Sequence, residues 1–417
     1  MPLKIFSFLL ILSVSSAIRY DNYALYKVLP KNIEEITILA DLYNSGTEYD
    51  FWDDPVPTFI RLIYKTDIEL NKTVDTNQFY RLIDNEKKGK YIRNNVRSMG
   101  WDRYYNLEDT YAWLDDLAAQ FDEVSIIEGG TSHEGRTIKG IKISHGPDRR
   151  AVFIESGIHS REWIAPATTN YIINELLYSD DEEIQSVTRD FDWYIFPVTN
   201  PDGYVWTHDV DRLWRKNRRP FGDQFGVDLN RNWNDNWLGF GVSLNASHLN
   251  YAGPGPFSEI ETRSLSTYIT NMADKIDLYL SFHSSGQILL LPFGNTTEPL
   301  ANYHDAVTLA VKHGTPYTIG NIAEAIYFAT GTSVDWVKER LHIPLAYCYE
   351  LRDRGQFGHL LPPDQIRPTG EETTDSVIEI VIQAKRFGYM VPYRASSASA
   401  LSLSIVLYLA VVVKLVL

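Results

Sequence analysis

Strand-like apolar runs alternate with helical patterns from residue 101 onward, and this alternation constrains the fold of the 417-residue chain more than any other feature. Runs typical of buried strands recur at 124–127, 137–144, 151–155, 192–198, 277–282 and 343–351. Helical patterns lie between them, most clearly at 167–177, 258–272 and 301–313. Strands that alternate with helices predict an α/β domain, with helices on both faces of a mixed central sheet.

A smaller unit precedes this domain. Residues 18–97 contain helical patterns near 33–42 and 77–84 and strand-like segments at 49–52 and 58–63, which predict an α+β module. The unit ends in 87–97, where five cations stand without an acid. Such a run is usually a solvated surface, but between two folded units it is also a linker that a trypsin-like protease can cleave. Residues 18–97 are therefore a candidate pro-segment, and the large domain is expected over 98–394.

Both ends of the chain predict passage through the secretory pathway. Residues 1–17 combine Lys4, an apolar run and a small-residue exit, which is the layout of a signal peptide. Residues 395–417 consist of small residues and an apolar tail, which indicates a glycolipid-anchor signal or a short membrane span. An extracellular glycoprotein, held at the outer membrane surface, is expected, and it agrees with acceptor sequons at Asn71, Asn245 and Asn295.

Composition narrows the classes of function. The net charge of −15 argues against a nucleic-acid partner, because no general positive field would attract phosphates. The single cysteine, Cys348, permits no intramolecular disulfide, which by itself would favour a reducing compartment and contrasts with the secretory termini.

The segment Gly157–Trp163 follows a predicted strand and carries His159 and Glu162 three residues apart. This spacing can direct an imidazole and a carboxylate at one zinc ion, although most such pairs are ordinary surface pairs. His283 follows another predicted strand, and ligands collect at the carboxyl ends of strands in open α/β sheets. Two histidines and a glutamate with one open position form the ligand set of hydrolytic zinc sites; a structural core histidine is the alternative for His283.

Seven segments occur in the order found in the zinc carboxypeptidases of the pancreatic carboxypeptidase A/B family, which the chain resembles over roughly residues 100–390. They are 157–163, 199–204, 212–218, 227–233, 281–284, 333–336 and 350–353. Residues 18–97 resemble the inhibitory pro-segment of that family. The resemblance implies a zymogen with one Zn²⁺ per chain that, once cleaved, removes residues from the C-termini of peptides or proteins.

The resemblance also implies roles for the matching residues. His159, Glu162 and His283 would bind zinc, and Asp228 would orient His159. Glu350 would be the general base that takes a proton from water and passes it to the leaving amine.

Other matching residues would contact the substrate. Arg215 would stabilise the developing oxyanion. The terminal carboxylate would be bound by Asn230 and Arg231, and Tyr327 would close over it. Arg161 and Ser284 would line the subsite for the preceding residues. A buried arginine without a carboxylate partner is costly, so only a free chain end would satisfy this site.

Val334 stands directly before Asp335, where an acid selects basic chain ends in the family. The other matching pocket positions are also neutral: Ser281, Gly294 and Ile322. The resemblance therefore predicts a preference for aliphatic or aromatic C-terminal residues. Thr332 and Cys348 can narrow the pocket, which leaves the choice between aliphatic and aromatic side chains open.

Two features of the sequence depart from the family pattern. The disulfide that commonly flanks the Asn-Arg segment is absent, and Ser285 stands where tyrosine is usual.

Two other functions are alternatives to the leading one. A non-catalytic surface binding protein would be expected to lose Glu350, Arg215 or a zinc ligand, and none is lost. A regulatory, hormone-processing carboxypeptidase is disfavoured by the pro-segment and by Val334.

Overall fold

A computed structural model describes residues 99–311 and 317–392. Before them it describes residues 23–28, 39, 42, 49–51, 60–65, 72–74, 83, 84 and 86. The predicted signal peptide, the basic linker 87–97, the C-terminal tail and Asn71 lie outside the described residues.

The N-terminal region contains a four-stranded antiparallel sheet. Its strands are β1 (Tyr23–Val28), β2 (Tyr49–Phe51), β3 (Ile60–Lys65) and β4 (Lys72–Val74). They are ordered β2-β3-β1-β4. The described residues 39, 42, 83, 84 and 86 are helical. Both strands expected from the sequence are present, as β2 and β3, and the mixture of helix and strand agrees with the predicted α+β module.

The large domain is built on a mixed eight-stranded sheet. The strands of this domain, in chain order, are β5 (Val124–Thr131), β6 (Thr137–Ile143), β7 (Ala151–Ser156), β8 (Asp192–Phe196), β9 (Pro220–Phe221), β10 (Gln224–Phe225), β11 (Ile276–Ser284), β12 (Ile288–Leu291), β13 (Thr318–Asn321) and β14 (Leu345–Leu351). Strands β9 and β10 form a separate small hairpin, and the other eight form the sheet. The sheet order is β13-β12-β14-β11-β7-β8-β6-β5. Strands β14, β11, β7 and β8 run parallel, whereas β6 and β12 join them antiparallel.

Helices cover both faces of this sheet. They are α1 (Leu107–Gln120), α2 (Ile164–Tyr178), α3 (Glu182–Asp190), α4 (Pro201–Asp209), α5 (Ile260–Thr270), α6 (Tyr303–Val311), α7 (Ile322–Ala325), α8 (Ser333–Leu341) and α9 (Ile366–Phe387), with 3-10 turns at Leu229–Arg231 and Pro363–Gln365. One buried cluster joins the sheet to α1, α2, α6 and α9, and a second joins its other face to α5 and α8. The predicted fold class is therefore confirmed. No described helix has the length and apolar character needed to cross a membrane.

The alternation of side chains along β11 assigns its residues to these two cores. Leu278, Leu280 and Phe282 belong to the first cluster, and Tyr279 belongs to the second. Since side chains alternate along a strand, Ser281 and His283 share the face of Tyr279. This face, covered by α5 and α8, carries the candidate site at the carboxyl ends of the parallel strands.

Candidate active site

Three predicted metal ligands converge at the carboxyl ends of β7 and β11. The ligand atoms of His159, Glu162 and His283 all lie within 4.8 Å of one another, and the three side chains are buried. His159 Nδ1 is 2.9 Å from Glu162 Oε1, and His283 Nδ1 is 3.1 Å from Glu162 Oε2. Two imidazole nitrogens and a carboxylate around one point fit the coordination preference of Zn²⁺.

The turn after β7 places His159 and Glu162. Gly157 has a φ of +65°, and a Cβ there would lie 3.1 Å from Pro197 O and 3.2 Å from Val198 Cα, so both the backbone conformation and the close approach require glycine. The next turn is held by the Ser160 N–H, which donates to Arg215 O at 3.1 Å. This bond connects the metal-ligand turn directly to the segment that carries Arg215.

The electrostatic environment of the three ligands favours a cation. Burial raises the pKa of Glu162, but His159 and His283 outweigh that effect and hold the pKa well below its usual range. Burial lowers the pKa of His283, yet the Glu162 carboxylate raises it overall to about 9. A site that stabilises an anionic carboxylate beside a proton on imidazole also stabilises a metal cation in the place of that proton.

Asp228 links His159 to Arg215. Its Oδ1 lies 3.1 Å from His159 Nε2, and its Oδ2 accepts from Arg215 Nη2 at 2.8 Å. A carboxylate at Nε2 favours the tautomer with its proton there, which leaves Nδ1 as the acceptor that faces Glu162 and His283. Burial raises the pKa of Asp228, but Arg215 and His159 hold it well below its usual range. Asp228 is therefore positioned to orient both neighbours at once.

Arg215 lies beside both Asp228 and Glu162. Its Nη1 is 3.8 Å from Glu162 Oε1, and its side chain is largely buried. Burial lowers the pKa of Arg215, but the Asp228 carboxylate raises it overall, so the guanidinium stays charged. Its position beside Glu162 is that of a fixed cation next to the metal site.

Glu350 lies on the strand next to His283. It is the parallel-ladder partner of His283 in the pairing of β11 with β14, and it is half-buried. It also raises the pKa of His283 through its charge, which indicates that the two side chains are close. The predicted base and the predicted ligands therefore share one edge and one face of the sheet.

The predicted carboxylate clamp forms a second group beside the ligands. Asn230 Nδ2 is 3.3 Å from His283 Nε2, and Asn230 Oδ1 accepts from Ser333 N at 2.9 Å. Arg231 Nη2 donates to Tyr327 OH at 3.3 Å, while its Nε donates to Gly241 O at 2.9 Å. The structure thus brings Asn230, Arg231 and Tyr327 together next to the metal ligands.

The remaining predicted site residues are Arg161, Ser284 and Val334. Arg161 lies in the turn between the two ligands and is buried, and its backbone oxygen accepts from Arg212 Nη1 at 2.8 Å. Ser284 donates its N–H to Glu162 Oε2 at 3.3 Å, and its buried hydroxyl oxygen has no hydrogen-bond partner among the described residues. Val334 is buried in an apolar cluster with Ile322. The other pocket residues predicted from the sequence, Ser281, Gly294 and Ile322, also lie in the described part of the chain and carry no charge.

Two glutamates near this site were not singled out by their sequence context. Glu155, on β7, is fully buried beneath Ser281 and Ser333 and accepts from both hydroxyls. Glu86, from the N-terminal region, forms a buried bidentate ion pair with Arg212 at 2.7 and 2.8 Å. For Glu155 a signal existed, since an acid at the end of an otherwise apolar run must find partners inside the core. For Glu86 no local pattern indicated a partner more than a hundred residues away.

Comparisons with known proteins agree with this geometry. Residues 110–376 match the family model described as zinc carboxypeptidase. The chain is 40% identical over 409 residues to zinc carboxypeptidase A 1 of Anopheles gambiae, covering 91% of this chain and 94% of that protein. It is 42% identical over 292 residues to carboxypeptidase B of Astacus astacus, covering 67% and 96%. The crystal structure of carboxypeptidase A from Helicoverpa armigera superposes with a TM-score of 0.77 at 29% identity, covering 88% of this chain and 98% of that one.

Proposed function

The chain belongs to the zinc carboxypeptidase family, and from that membership we propose that it hydrolyses the C-terminal peptide bond of peptides or proteins, with a preference for neutral aliphatic or aromatic terminal residues. It is a metallocarboxypeptidase that uses zinc as its cofactor. The observation that carries the finer proposal is the convergence of His159, Glu162 and His283, with Glu350 beside His283 on the next strand and Asn230 in contact with the His283 ring.

Each group has a chemical task in this proposal. His159, Glu162 and His283 hold the ion, which supplies Lewis-acid chemistry at the scissile carbonyl. Glu350 takes a proton from the attacking water and passes it to the leaving amine, a role favoured by its half-buried position beside His283. Arg215 stabilises the oxyanion, because its ion pair with Asp228 already fixes the guanidinium before substrate arrives.

The clamp restricts the reaction to chain ends. Arg231 presents a guanidinium whose Nη2 already contacts the Tyr327 hydroxyl, and Asn230 lies beside it. A free terminal carboxylate can accept a forked pair of bonds from Arg231, whereas an internal peptide group cannot replace that charge. Arg161 and Ser284 contact the residues that precede the cleaved bond in this proposal.

The pocket supports a neutral preference. Val334, Ile322 and Cys348 lie in one buried apolar cluster, and Val334 places no charge at the position that would select lysine or arginine. Burial raises the pKa of the Cys348 thiol well above its usual value, so this side chain acts as a small neutral wall.

The zymogen, the secretory route and the membrane attachment belong to the same proposal. The buried pair between Glu86 and Arg212 supports an N-terminal segment docked on the catalytic domain until a trypsin-like protease cleaves within 87–97. Residues 1–17 would direct the chain to the extracellular side, and 395–417 would attach it to the membrane by a glycolipid anchor or a short span.

The test uses the trypsin-treated, zinc-loaded protein and peptides that differ only in their last residue. We expect release of C-terminal Phe and Leu, loss of activity with a zinc chelator, and no release from peptides with an amidated C-terminus. Glu350→Gln should retain zinc and lose turnover by about 100-fold or more. Preferential release of Lys or Arg would overturn the neutral preference, and unchanged turnover by Glu350→Gln would reject the assigned base.

A further inference from the structure

A row of side chains lies one step behind the metal ligand of β11, on the same face of the sheet. Ser281 precedes His283 by two residues, so both side chains point to this face. The ladder pairs Ser281 with Glu155 of β7 on one side and with Cys348 of β14 on the other. We call Glu155, Ser281 and Cys348 the pocket row.

Helix α8 begins over the pocket row. Ser333, its first residue, donates its hydroxyl to Glu155 Oε1 at 3.2 Å and its backbone N–H to Asn230 Oδ1 at 2.9 Å. Val334 follows and packs in the same buried cluster as Cys348. The pocket row is therefore connected through one residue to the clamp, at the place where the terminal side chain of a substrate lies in the proposed function.

Glu155 is surrounded by hydroxyl groups. Ser281 Oγ donates to its Oε1 at 2.5 Å, and Tyr279 OH donates to the same atom at 3.3 Å, in addition to Ser333. Thr199 Oγ1 makes a longer contact of 3.4 Å to Oε2. Within the described part of the chain, no lysine, arginine or histidine forms an ion pair with this carboxylate. Its charge is therefore screened by oriented dipoles rather than neutralised by a cation.

We propose that Glu155 is a specificity-determining residue that acts through the hydroxyls of Ser281 and Ser333. A hydroxyl has one proton, and in both residues that proton is committed to the Glu155 carboxylate. Only their oxygen lone pairs are left for a bound side chain, so the end of the pocket accepts hydrogen bonds and cannot donate them. The negative charge behind these oxygens acts in the same direction.

This geometry selects among terminal side chains by their hydrogen-bond donors, which extends the aliphatic or aromatic preference of the proposed function to polar residues, and the inference rests on that function. Neutral side chains with a hydrogen-bond donor are favoured over side chains of the same shape without one, as for Gln over Glu, Thr over Val and Tyr over Phe. The acidic member of the first pair is disfavoured most, because its acceptors would face the hydroxyl oxygens of Ser281 and Ser333 with no proton between them.

The experiment measures kcat/KM of the activated, zinc-loaded enzyme on peptides that end in Gln, Glu or Leu. For the unmodified enzyme we expect a Gln-to-Glu ratio of about 10 or more. Glu155→Gln should lower this ratio about 10-fold, because the amide NH2 can donate to the oxygens of Ser281 and Ser333, whose protons then turn toward the substrate, while turnover of the Leu peptide changes little. A uniform fall for all three peptides in Glu155→Gln, with the ratio unchanged, would show a purely structural role and overturn the proposal.

Two further variants make the test independent of how well Glu155→Gln folds. Ser281→Ala keeps the carboxylate and removes one of the two hydroxyl oxygens through which it acts, so the Gln-to-Glu ratio should fall, by less than in Glu155→Gln; an unchanged or higher ratio would show that the Ser281 hydroxyl does not transmit the selectivity and would overturn the proposal. Glu261→Gln makes the same chemical change at another buried glutamate, whose partners are Asn217 and the His133 N–H, and should leave the ratio unchanged.

Failure of this inference is distinguishable from failure of the proposed function. An enzyme that releases no terminal residue from any of the peptides contradicts the proposed function, and with it the inference. An enzyme that releases Leu readily but shows the same ratio before and after Glu155→Gln contradicts the inference alone.

Discussion

Glu155 and Glu162 are seven residues apart, on either side of the turn at Gly157, and both are buried. Glu155 accepts hydrogen bonds from hydroxyl groups. Glu162 instead lies between His159 and His283, with Arg215 at 3.8 Å. The same side chain at the same depth therefore meets neutral dipoles in one place and cationic or metal-binding groups in the other.

The difference teaches that burial alone does not define a reactive glutamate. Neutral hydroxyl donors satisfy a carboxylate and orient their own dipoles around it, which suits a role in shaping a pocket. Imidazole nitrogens share a cation with the carboxylate, which suits a metal ligand. Two other buried glutamates extend the comparison: Glu86, paired with an arginine, and Glu261, paired with an amide and a backbone N–H.

The largest effect is expected from Glu162→Gln compared with Glu155→Gln. In Glu162→Gln the site loses its anionic ligand and with it the zinc ion. The transition state then loses several kcal/mol of stabilisation, which corresponds to a fall in turnover of about 1,000-fold or more. Glu155→Gln should keep its zinc, since none of its described partners is a metal ligand. Atomic absorption measures the zinc content, and hydrolysis of a Leu-ending peptide measures the turnover of both variants. Equal zinc loss in the two variants would contradict the assignment of Glu162, and not Glu155, as a metal ligand.

Arg215→Ala tests whether the cation near Glu162 has a catalytic task. We expect kcat to fall about 100- to 1,000-fold with a smaller change in KM, because the lost interaction forms mainly with the developing oxyanion. Asp228→Asn is the matched variant, since it keeps Arg215 and removes its orienting partner. A rise in KM with kcat unchanged in Arg215→Ala would assign this residue to ground-state binding instead.

Glu86→Gln tests the glutamate that comes from the N-terminal region. It leaves the buried Arg212 guanidinium without its anion, and breaking one partner of a buried ion pair is strongly destabilising. We expect the uncleaved protein to gain about 10-fold in basal activity, or about 1.4 kcal/mol of lost docking energy. After trypsin treatment the variant and the unmodified enzyme should be equally active, because the segment that carries the change is then removed; unequal activity would place Glu86 outside the pro-segment.

The smallest effect on turnover is expected from Glu261→Gln, which should instead change how stability depends on pH. Burial raises the pKa of Glu261 to about 7 from a usual 4.5. The folded chain then holds this proton more tightly than the unfolded chain, so its stabilising contribution is complete below about pH 4.5 and is lost as the pH rises toward 7. Thermal unfolding measured across this range should show a shallower decline for Glu261→Gln; identical slopes would contradict the assignment.

The sequence alone predicted most of the elements that build the site. The apolar runs that became β7, β11 and β14 are buried strands with local signatures, and a pattern of apolar residues does not need tertiary contacts to be recognised. The residues His159, Glu162 and His283 follow these runs, so the local pattern makes them candidates, and the family resemblance assigns them to zinc. The resemblance to a family added Glu350 and the clamp, which the fold brings next to these ligands.

Tertiary structure decided what each buried carboxylate does. Whether Glu155 meets hydroxyls or cations depends on β11 and α8, which lie more than a hundred residues away in the chain. The pairing of Glu86 with Arg212 likewise joins two regions that share no local pattern. Sequence patterns report the face and the period of an element, because these are local properties. The partner of a buried charge is set by which elements pack together, and only the folded chain determines that.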